Sequence, residues 1–266
     1  MLVELGFRAF DPHELLPHVL ATRLGLYERE GLEVRLRDLT FDDRPSIQAS
    51  CGAALLARLR GEPYRIVLVA CTRPLFWIVT RSAGTRLEKA RIASYPGGSP
   101  PDLFLRMLLP EARLEPARDN DARIGLLLTG QVDGAVVSSA EPLAALEQLG
   151  LRKALSFADL LLVPTTGLAV PESMLARDEV AALASALRQA LSVIRAEKEQ
   201  VVKALVDAFR YDVRSAERWA DDHRRAFSST GAMKRDQAAA ALSQLSRALG
   251  VPAPDLGGVF AVDSLS

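Results

Sequence analysis

Short apolar segments with β character alternate with amphipathic helices along this chain of 266 residues, and this alternation constrains its fold most. Residues 2–9 predict a strand, residues 14–28 a helix with leucines on one face, and residues 32–36 a second strand. Residues 178–250, in contrast, predict helices only. Strands that alternate with helices are typical of α/β proteins, in which helices flank a mainly parallel sheet. We therefore predict the α/β class.

The domain organisation follows from the size of the chain and from what joins its halves. No Gly/Ser-rich spacer is present, and the length fits one large α/β unit or two linked lobes. We predict two lobes joined by two extended crossings. Lobe 1 is discontinuous and comprises residues 1–78 and 168–266, and lobe 2 comprises residues 79–167. Because ligands of α/β sheets bind at the carboxyl ends of strands, we expect a ligand cleft between the lobes.

The charge balance and the cysteine count exclude several classes of protein. Lys and Arg together number 33, as do Asp and Glu, so no net field favours nucleic acid as a partner. The two cysteines, Cys51 and Cys71, are too few for a disulfide framework or a four-cysteine zinc site. A single bridge between them stays open beside the alternative of two buried thiols. The sequence predicts no cofactor and no metal site.

The apolar segments also bear on location. None approaches the roughly 18 residues that a transmembrane helix needs, so no membrane-spanning segment is predicted. The first residues lack the basic start, apolar core and small-residue cleavage site of a secretory signal. We therefore expect either a cytoplasmic protein or a periplasmic protein whose signal has been removed.

Two histidines, His13 and His18, lie in the first predicted helix. They are five residues apart, so they do not share the helical face that a zinc site of the His-Glu-x-x-His type requires. His13 directly follows the first predicted strand, which makes it a candidate polar contact for a ligand. It is also the candidate acid–base group if the protein is an enzyme.

A glycine-rich turn, Tyr-Pro-Gly-Gly-Ser-Pro-Pro-Asp at residues 95–102, precedes another predicted helix. Gly97 and Gly98 allow close approach of a ligand to the backbone, and Ser99 is a good residue for the N-cap. The helix N-terminus could then hold an anion or a polar ligand atom. Alternatively, Ser99 and Asp102 form a capping pair that already satisfies this end of the helix.

Small hydroxyl residues follow two other predicted strands. Ser50 and Cys51 follow the short strand at residues 47–50, and Ser138 and Ser139 follow the strand at residues 133–137. The serines either cap the next helix or contact a ligand. No sequence feature supplies a base for Cys51, so we do not predict a nucleophilic cysteine.

The first crossing between the predicted lobes carries aromatic and cationic residues. Phe76 and Trp77 could sandwich a ring or an alkyl ligand, or they could pack in a core. Arg44 and Arg73 are the cationic candidates nearest to predicted strand ends, where a guanidinium group can hold an anionic group.

Three segments resemble one family of proteins. Residues 21–34, Ala-Thr-Arg-Leu-Gly-Leu-Tyr-Glu-Arg-Glu-Gly-Leu-Glu-Val, resemble the helix-to-strand signature of a family of substrate-binding proteins of ABC importers. That family takes up nitrate, sulfonates, taurine and precursors of the thiamine pyrimidine. Residues 125–139 resemble its second-lobe Gly-x-x-Asp-Ala strand, and residues 178–205 its long C-terminal helices. The family's first-lobe Gly-x-x-Asp motif is replaced here by residues 44–49.

The resemblance implies a two-lobed, type 2 periplasmic-binding-protein-like fold that closes on a small ligand by hinge motion. It also implies an anionic or nitrogen-heterocyclic ligand and an ABC permease as partner. The cleft positions of the family correspond to Phe10, Asp11, His13, Ser50, Cys51, Thr72, Arg73, Trp77, Gly97, Gly98, Ser99, Ser138 and Ser139.

Two alternatives stay open because fold alone does not determine function. The same fold is used by cytosolic biosynthetic enzymes, so a lyase or a synthase is the second hypothesis. A sensor or interaction protein that has lost transport is the third.

Overall fold

The computed structural model describes residues 1–39 and 46–266, so the candidate Arg44 lies outside the described residues. The chain divides into unit 1, Met1–Thr72 with Val163–Ser266, and unit 2, Arg73–Leu162. The predicted boundaries were 78/79 and 167/168. The unit boundaries fall earlier in the chain, at 72/73 and 162/163. The Val163 amide donates to the Thr72 carbonyl at 2.8 Å, where the chain returns to unit 1. The predicted ligand cleft between lobes stays a prediction.

The described strands are, in chain order, β1 (Leu2–Phe7), β2 (Glu33–Asp38), β3 (Tyr64–Cys71), β4 (Phe76–Thr80), β5 (Arg91–Ser94), β6 (Arg113–Pro116), β7 (Gly134–Ser138), β8 (Arg152–Ser156) and β9 (Thr166–Pro171). The described α-helices are α1 (Pro12–Arg23), α2 (Leu26–Arg29), α3 (Cys51–Leu59), α4 (Pro100–Leu108), α5 (Asn120–Leu128), α6 (Leu143–Gln148), α7 (Phe157–Leu160), α8 (Asp178–Ala196), α9 (Lys198–Phe209), α10 (Val213–His223), α11 (Arg235–Leu249) and α12 (Leu256–Val259). These elements confirm the predicted α/β class.

The sheet of unit 1 combines both directions of pairing. Strand β1 pairs parallel with β2, and β3 pairs antiparallel with β9. Single bridges from Gln48 to Gly6 and to Ala169 link the two pairs. Gly167 is required where β9 meets β3, since its φ is 152° and an added Cβ would lie 2.0 Å from the Leu68 carbonyl oxygen. Strand β1 and the bridge at Gln48 thereby place the residues that follow them at one edge of the sheet.

The sheet of unit 2 has the order β6-β5-β7-β4-β8. Strand β5 pairs parallel with β6 and β7, and β4 pairs antiparallel with β7 and β8. A hydrophobic cluster that includes Trp77, Val79, Ala93, Leu127 and Val137 packs on one face. Parallel pairing brings the ends of β5 and β7, and the residues that follow them, to the same edge.

Four sequence predictions differ from the structure. The short strand predicted at residues 47–50 is present only as single bridges of Gln48. Strands β6 and β8 were not predicted, because their exposed, charged residues lack an apolar alternation. Of residues 160–163, predicted as strand-like, Leu160 is the last residue of α7 and the other three follow it without strand pairing. The C-terminal residues 254–266, predicted as an irregular tail, include α12 and pack on unit 1 through Phe260, which is 1% exposed.

Among the described residues, no helix is both long enough and apolar enough to cross a membrane.

Candidate functional site

The turn after β1 is fixed by a helix cap. The Asp11 side chain accepts a hydrogen bond from the Glu14 amide at 3.0 Å, and Pro12 occupies the first position of α1. Extended backbone at Asp11 followed by proline is the expected start of a helix. Phe10 precedes this cap and is 57% exposed, and its ring centroid lies 5.5 Å from that of Phe209. The cap accounts for Asp11, whereas Phe10 stays available at the surface of unit 1.

His13 is buried in unit 1 and has a defined tautomer. Its Nε2 lies 2.9 Å from Thr165 Oγ1, and that hydroxyl donates to the Cys71 carbonyl at 3.1 Å. Because a threonine hydroxyl has one hydrogen, His13 Nε2 must be the donor of the first bond. Burial, with a smaller contribution from the charge of His223, lowers the pKa of His13 to about 3. The imidazole is therefore neutral at neutral pH.

His18 is also a buried, neutral imidazole. Its Nδ1 lies 2.7 Å from the Tyr27 hydroxyl, and it bonds to the backbone of Gly167. Burial lowers the pKa of His18 to about 4, against the opposing effect of the Gly167 bond. His18 therefore ties α1 to α2 and β9, which agrees with a packing role.

Glu14 is a buried carboxyl group on the first turn of α1. It accepts a hydrogen bond from the Arg8 amide at 2.7 Å, which ties the end of β1 to the helix. Burial raises the pKa of Glu14 to about 8, although the backbone bond from Arg8 lowers it. The group is thus mainly protonated at pH 7. Its partner residues and its neutral charge were not predicted, because they depend on burial.

Ser50 and Cys51 lie at the start of α3, where the Gly52 amide donates to the carbonyl of Thr165, the partner of His13, at 2.9 Å. The Ser50 hydroxyl accepts from the Ala53 amide at 3.2 Å and so caps the helix. Cys51 is fully buried, and burial raises the pKa of its thiol. Cys51 and Cys71 are both free thiols, which resolves the open question of a bridge between them. Because the thiolate is the nucleophilic form of cysteine, a raised pKa makes the Cys51 thiol a poor nucleophile.

Four buried side-chain oxygens in unit 1 lack a hydrogen-bond partner among the described residues, and they are Ser46 Oγ, Gln48 Oε1, Thr166 Oγ1 and Ser246 Oγ. Gln48 is 1% exposed and Thr166 is 3% exposed. Buried polar atoms are nearly always hydrogen-bonded to protein, water or ligand. Thr166 directly follows Thr165, the partner of His13. Neither Gln48 nor Thr166 was predicted, since nothing in the sequence distinguishes them from other polar strand residues.

The glycine-rich turn of unit 2 is closed by Asp102. The Gly98 amide donates to Asp102 Oδ2 at 3.1 Å, and Arg106 pairs with the same oxygen at 3.1 Å. The Ser99 hydroxyl donates to the Pro96 carbonyl at 2.7 Å and makes no capping bond to α4. Of the two alternatives, the one in which Asp102 satisfies this end of the helix is closer to the structure. Gly97 is exposed, and a Cβ added there would meet no atom within 4 Å.

The residues of the first predicted crossing mostly contact other residues of unit 2. Trp77 is 3% exposed and belongs to the hydrophobic cluster of unit 2, so the core-packing alternative holds for it. Phe76 packs edge-on against Tyr95, with ring centroids 5.5 Å apart. Arg73 is exposed and donates to the Ala158 carbonyl, and Thr72 is half-buried. We therefore do not assign a ligand contact to Trp77.

Ser138 and Ser139 are buried at the end of β7, as the strand prediction implied. Ser138 Oγ accepts from Asn120 Nδ2 at 3.4 Å and from the Ala140 amide at 3.3 Å. Asn120 Nδ2 also donates to Glu141 Oε1 at 3.1 Å. A polar cluster of Asn120, Ser138 and Glu141 thus lies at the end of this strand, and we call it the β7 cluster.

Arg123 is a buried residue that binds the β7 cluster through Asn120, and the sequence did not predict it. It is 1% exposed and donates to the Val136 carbonyl at 2.7 Å, to the Ala117 carbonyl at 2.7 Å and to Asn120 Oδ1 at 2.6 Å. Its guanidinium carbon lies 3.7 Å from the centroid of the Tyr95 ring. An arginine between apolar residues of a helix was the available signal, because such a charge must find buried partners.

Two surface grooves lie within single units and include no predicted site residue. One, of about 460 Å³, runs between α9 and α10 beside Val202 and Val206. The other, of about 740 Å³, lies at the end of β4 and along β8 beside Thr80 and Arg152.

The sequence matches no protein-family model, and no curated protein matches it by sequence. Solved structures do match. A Candida albicans gene product, described as having the generic periplasmic binding protein fold, is similar with a TM-score of 0.76 and 13% identity over 98% of this chain and 96% of that chain. This chain has the periplasmic-binding-protein fold.

Two further solved structures are similar over nearly the whole chain. The ligand-binding component of an ABC-type import system from Staphylococcus aureus, with zinc bound, has a TM-score of 0.74 and 13% identity over 98% of this chain and 96% of that one. The alkanesulfonate-binding protein SsuA from Xanthomonas axonopodis pv. citri, bound to MOPS, has a TM-score of 0.72 and 17% identity over 100% and 98%. At these identities the likeness establishes the fold only.

Proposed function

We propose that this protein binds a small organic molecule reversibly and acts as the substrate-binding component of an ABC importer. The observation that carries the proposal is the whole-length likeness to solved structures that are described as ligand-binding or alkanesulfonate-binding proteins. An ABC permease as partner and a periplasmic location belong to the same proposal.

The polar groups of unit 1 support a binding role. Ligand sites combine apolar walls with a few fixed polar atoms, and the neutral groups around His13 are held by internal hydrogen bonds. Thr166 directly follows Thr165 of this network, and its buried Oγ1 has no partner among the described residues. Gln48 Oε1 is also buried in unit 1 without a partner among them. We propose that Thr166 Oγ1 contacts the polar part of the ligand, directly or through an ordered water.

The enzyme hypothesis has no specific support. Its candidate acid–base group, His13, has a pKa of about 3 because it is buried. A general acid or base works best with a pKa near the working pH, so this imidazole is poorly matched to proton transfer at neutral pH. We therefore propose binding without chemical conversion of the ligand.

The test is a thermal-shift screen of metabolites on the purified protein, followed by calorimetric titration of the compounds that bind. A specific ligand at 100 times its dissociation constant should stabilise the protein by about 2.7 kcal/mol. Recovery of the ligand unchanged after incubation is expected, and the appearance of a product would favour the enzyme hypothesis instead.

Thr166→Val gives the matched site variant. Valine has a similar shape and lacks the buried hydroxyl, so the stability without ligand should stay equal or rise, whereas ligand affinity should fall about tenfold. Thr129→Val, at an exposed position on unit 2, is the control and should leave the affinity unchanged. A loss of stability in Thr166→Val with unchanged affinity would assign the hydroxyl to the fold and remove it from the site.

A further inference from the structure

The sheet of unit 2 has two edge strands, β6 and β8. Strand β8 pairs with β4, and outside that pairing residues 152–155 neither donate a backbone hydrogen bond to any described residue nor accept one. The outer edge of β8 therefore presents backbone amides and carbonyls that no other strand of the described chain satisfies. Such an edge can pair with an added strand, because an extended segment carries donors and acceptors at the same spacing.

The groove of about 740 Å³ runs beside this edge. Arg152, Lys153 and Ala154 line it in succession, and all three are exposed. Because successive side chains of a strand point to opposite faces, a groove that three consecutive residues line follows the edge of the strand and is not confined to one face. Leu87 and Leu151 are among the other lining residues and supply apolar surface. The groove thus joins an open backbone edge to a wall on which the side chains of an added strand can pack.

The charge of the groove comes from two cations. Arg152 and Lys153 make no ion pair and no side-chain hydrogen bond with any described residue. Glu147 also lines the groove, but its side chain already interacts with another group. Complementary charge across an interface speeds association and selects the partner. The two cations therefore favour an acidic occupant.

The same charge disfavours a second copy of this chain as the occupant. Two copies that paired symmetrically through this edge would use the same surface twice, so Arg152 and Lys153 of one copy would lie near those of the other. Like charges opposite each other destabilise strand pairing, and lysine on an edge strand is a device that natural proteins use against self-pairing. A segment of opposite charge escapes this penalty.

Strand β6, at the other edge of the sheet, lacks these features. It ends at Pro116, whose nitrogen has no hydrogen to donate to a neighbouring strand. Its charges are mixed, with Arg113 and Glu115 both exposed. Neither of the two grooves described above includes a residue of β6. Strand β6 therefore provides an internal control for β8.

We propose that the outer edge of β8 and the groove beside it bind an extended, acidic segment of another protein, which pairs with β8 as an added strand. Backbone hydrogen bonds to residues 152–155 hold the segment, and its carboxylates face Arg152 and Lys153. The proposal does not rest on the small-molecule site, because the lining of the groove includes none of the residues proposed for that site.

The test uses short fluorescent peptides in which Glu or Asp alternates with Val, Ile or Thr, and fluorescence anisotropy measures their binding to the full chain. Acidic peptides should bind, with an affinity that falls as salt rises. The same peptides with Lys in place of the acidic residues should bind at least about tenfold more weakly. Hydrogen exchange of the amides of residues 152–155 should slow at least about tenfold when the acidic peptide is bound.

Methylation of alternate backbone nitrogens of the peptide separates strand pairing from simple charge attraction. The amides of a strand point alternately to its two edges, so methylation in one phase removes the donors that face β8 and methylation in the other phase leaves them. Both products carry the same charge and the same side chains. One phase should bind about tenfold more weakly than the other, because each lost hydrogen bond weakens binding severalfold.

Arg152→Glu combined with Lys153→Glu reverses the charge of the edge. Both side chains are exposed, so the fold should be kept. The double variant should bind acidic peptides at least about tenfold more weakly than the parent, and lysine peptides more tightly. Arg113→Glu, at an exposed position on β6, is the matched control and should leave both affinities within about twofold.

Several results would overturn the proposal. They are a parent protein that binds no acidic peptide, equal affinities for the two methylation phases, and equal effects of the β8 and β6 variants. Tighter binding of a single-stranded oligonucleotide than of any acidic peptide would assign the cations to another class of partner. Self-association of the parent that is lost in the β8 double variant would assign the edge to a second copy. None of these results bears on small-molecule binding, which the thermal-shift screen tests separately.

Discussion

Unit 1 and unit 2 both bury polar side chains near the ends of their strands, but the buried ionisable groups that we compare are neutral in unit 1 and charged in unit 2. In unit 1 three of the buried groups are neutral near pH 7, since His13 and His18 have pKa values of about 3 and 4 and Glu14 has one of about 8. In unit 2, where Asp102 is also buried, the most buried ionisable group is Arg123, whose pKa is lowered by burial but whose side chain stays protonated in proteins.

The difference teaches how each arrangement is stabilised and what perturbs it. Neutral imidazole and carboxyl groups need few partners, but their ionisation at other pH values is unfavourable in a buried position. A buried guanidinium needs many partners, and the Val136, Ala117 and Arg118 carbonyls supply them. We therefore expect unit 1 to be sensitive to pH and unit 2 to be sensitive to loss of its arginine.

Arg123→Met should give the largest effect. It leaves the Val136, Ala117 and Arg118 carbonyls and Asn120 Oδ1 without their donor, and each unsatisfied buried acceptor costs about 1–3 kcal/mol. The free energy of unfolding of unit 2 should fall by about 3 kcal/mol or more. Urea unfolding followed by tryptophan fluorescence in a Trp219→Phe background measures this, because Trp77 in the unit 2 core is then the remaining tryptophan.

Arg113→Met is the control for that experiment, because Arg113 is exposed on β6 in the same unit. Its free energy of unfolding should stay within about 0.5 kcal/mol of the parent value. Equal effects of the two arginine variants would contradict a central role for Arg123 and would remove the proposed contrast between the units.

Unit 1 should instead show a stability maximum near pH 6.5. Each buried histidine has a lowered pKa, so its stabilising effect is present above about pH 6.5 and is lost as the pH falls towards 4 and 3. Glu14 has a raised pKa, so its effect is present below about pH 4.5 and is lost as the pH rises towards 8. Between pH 4.5 and 6.5 the unfolded state holds one more proton than the native state, and above 6.5 one fewer.

The slopes on both sides follow from this proton count. Stability of unit 1 should rise by about 1.4 kcal/mol per pH unit up to pH 6.5 and then fall at a similar slope towards pH 8. Urea unfolding followed by Trp219 fluorescence in a Trp77→Phe background measures the profile. Unit 2, followed through Trp77, should show no such maximum from its buried arginine.

Glu14→Gln sharpens the pH prediction. Glutamine resembles the protonated carboxyl and does not ionise, so the decline above pH 6.5 should disappear. The stability of the variant relative to the parent should increase by about 2 kcal/mol between pH 6.5 and 8. Glu62→Gln, at an exposed position, serves as the control and should keep the parent profile. A decline that persists in Glu14→Gln would assign it to another group.

The same comparison indicates what sequence can predict here. Apolar periodicity located β1, β7 and the start of α4, and therefore the positions of His13, Ser138 and Ser99 close to strand or helix ends. It did not identify Arg123 or Thr166, because their roles depend on partners that only the folded sheet brings near. The short edge strands β6 and β8 were also missed, since their exposed charged residues give no pattern.

Helix caps show the limit of local sequence in the same way, and they carry the smallest predicted effect. Ser50 and Ser99 both stand directly before a helix, but the Ser50 hydroxyl accepts from the Ala53 amide whereas the Ser99 hydroxyl donates to the Pro96 carbonyl. Ser50→Ala should lower the free energy of unfolding by about 1 kcal/mol. Ser99→Ala should lower it by only a few tenths, because Asp102 holds that turn through the Gly98 amide.

The measurement is the loss in free energy of unfolding of each serine variant, obtained from urea unfolding. Trp219 fluorescence follows Ser50→Ala, and Trp77 fluorescence follows Ser99→Ala. A larger loss in Ser99→Ala than in Ser50→Ala would mean that the Ser99 hydroxyl does cap α4. A smaller loss in Ser99→Ala agrees with a Ser99 hydroxyl that donates to the Pro96 carbonyl and with a turn that Asp102 holds through the Gly98 amide.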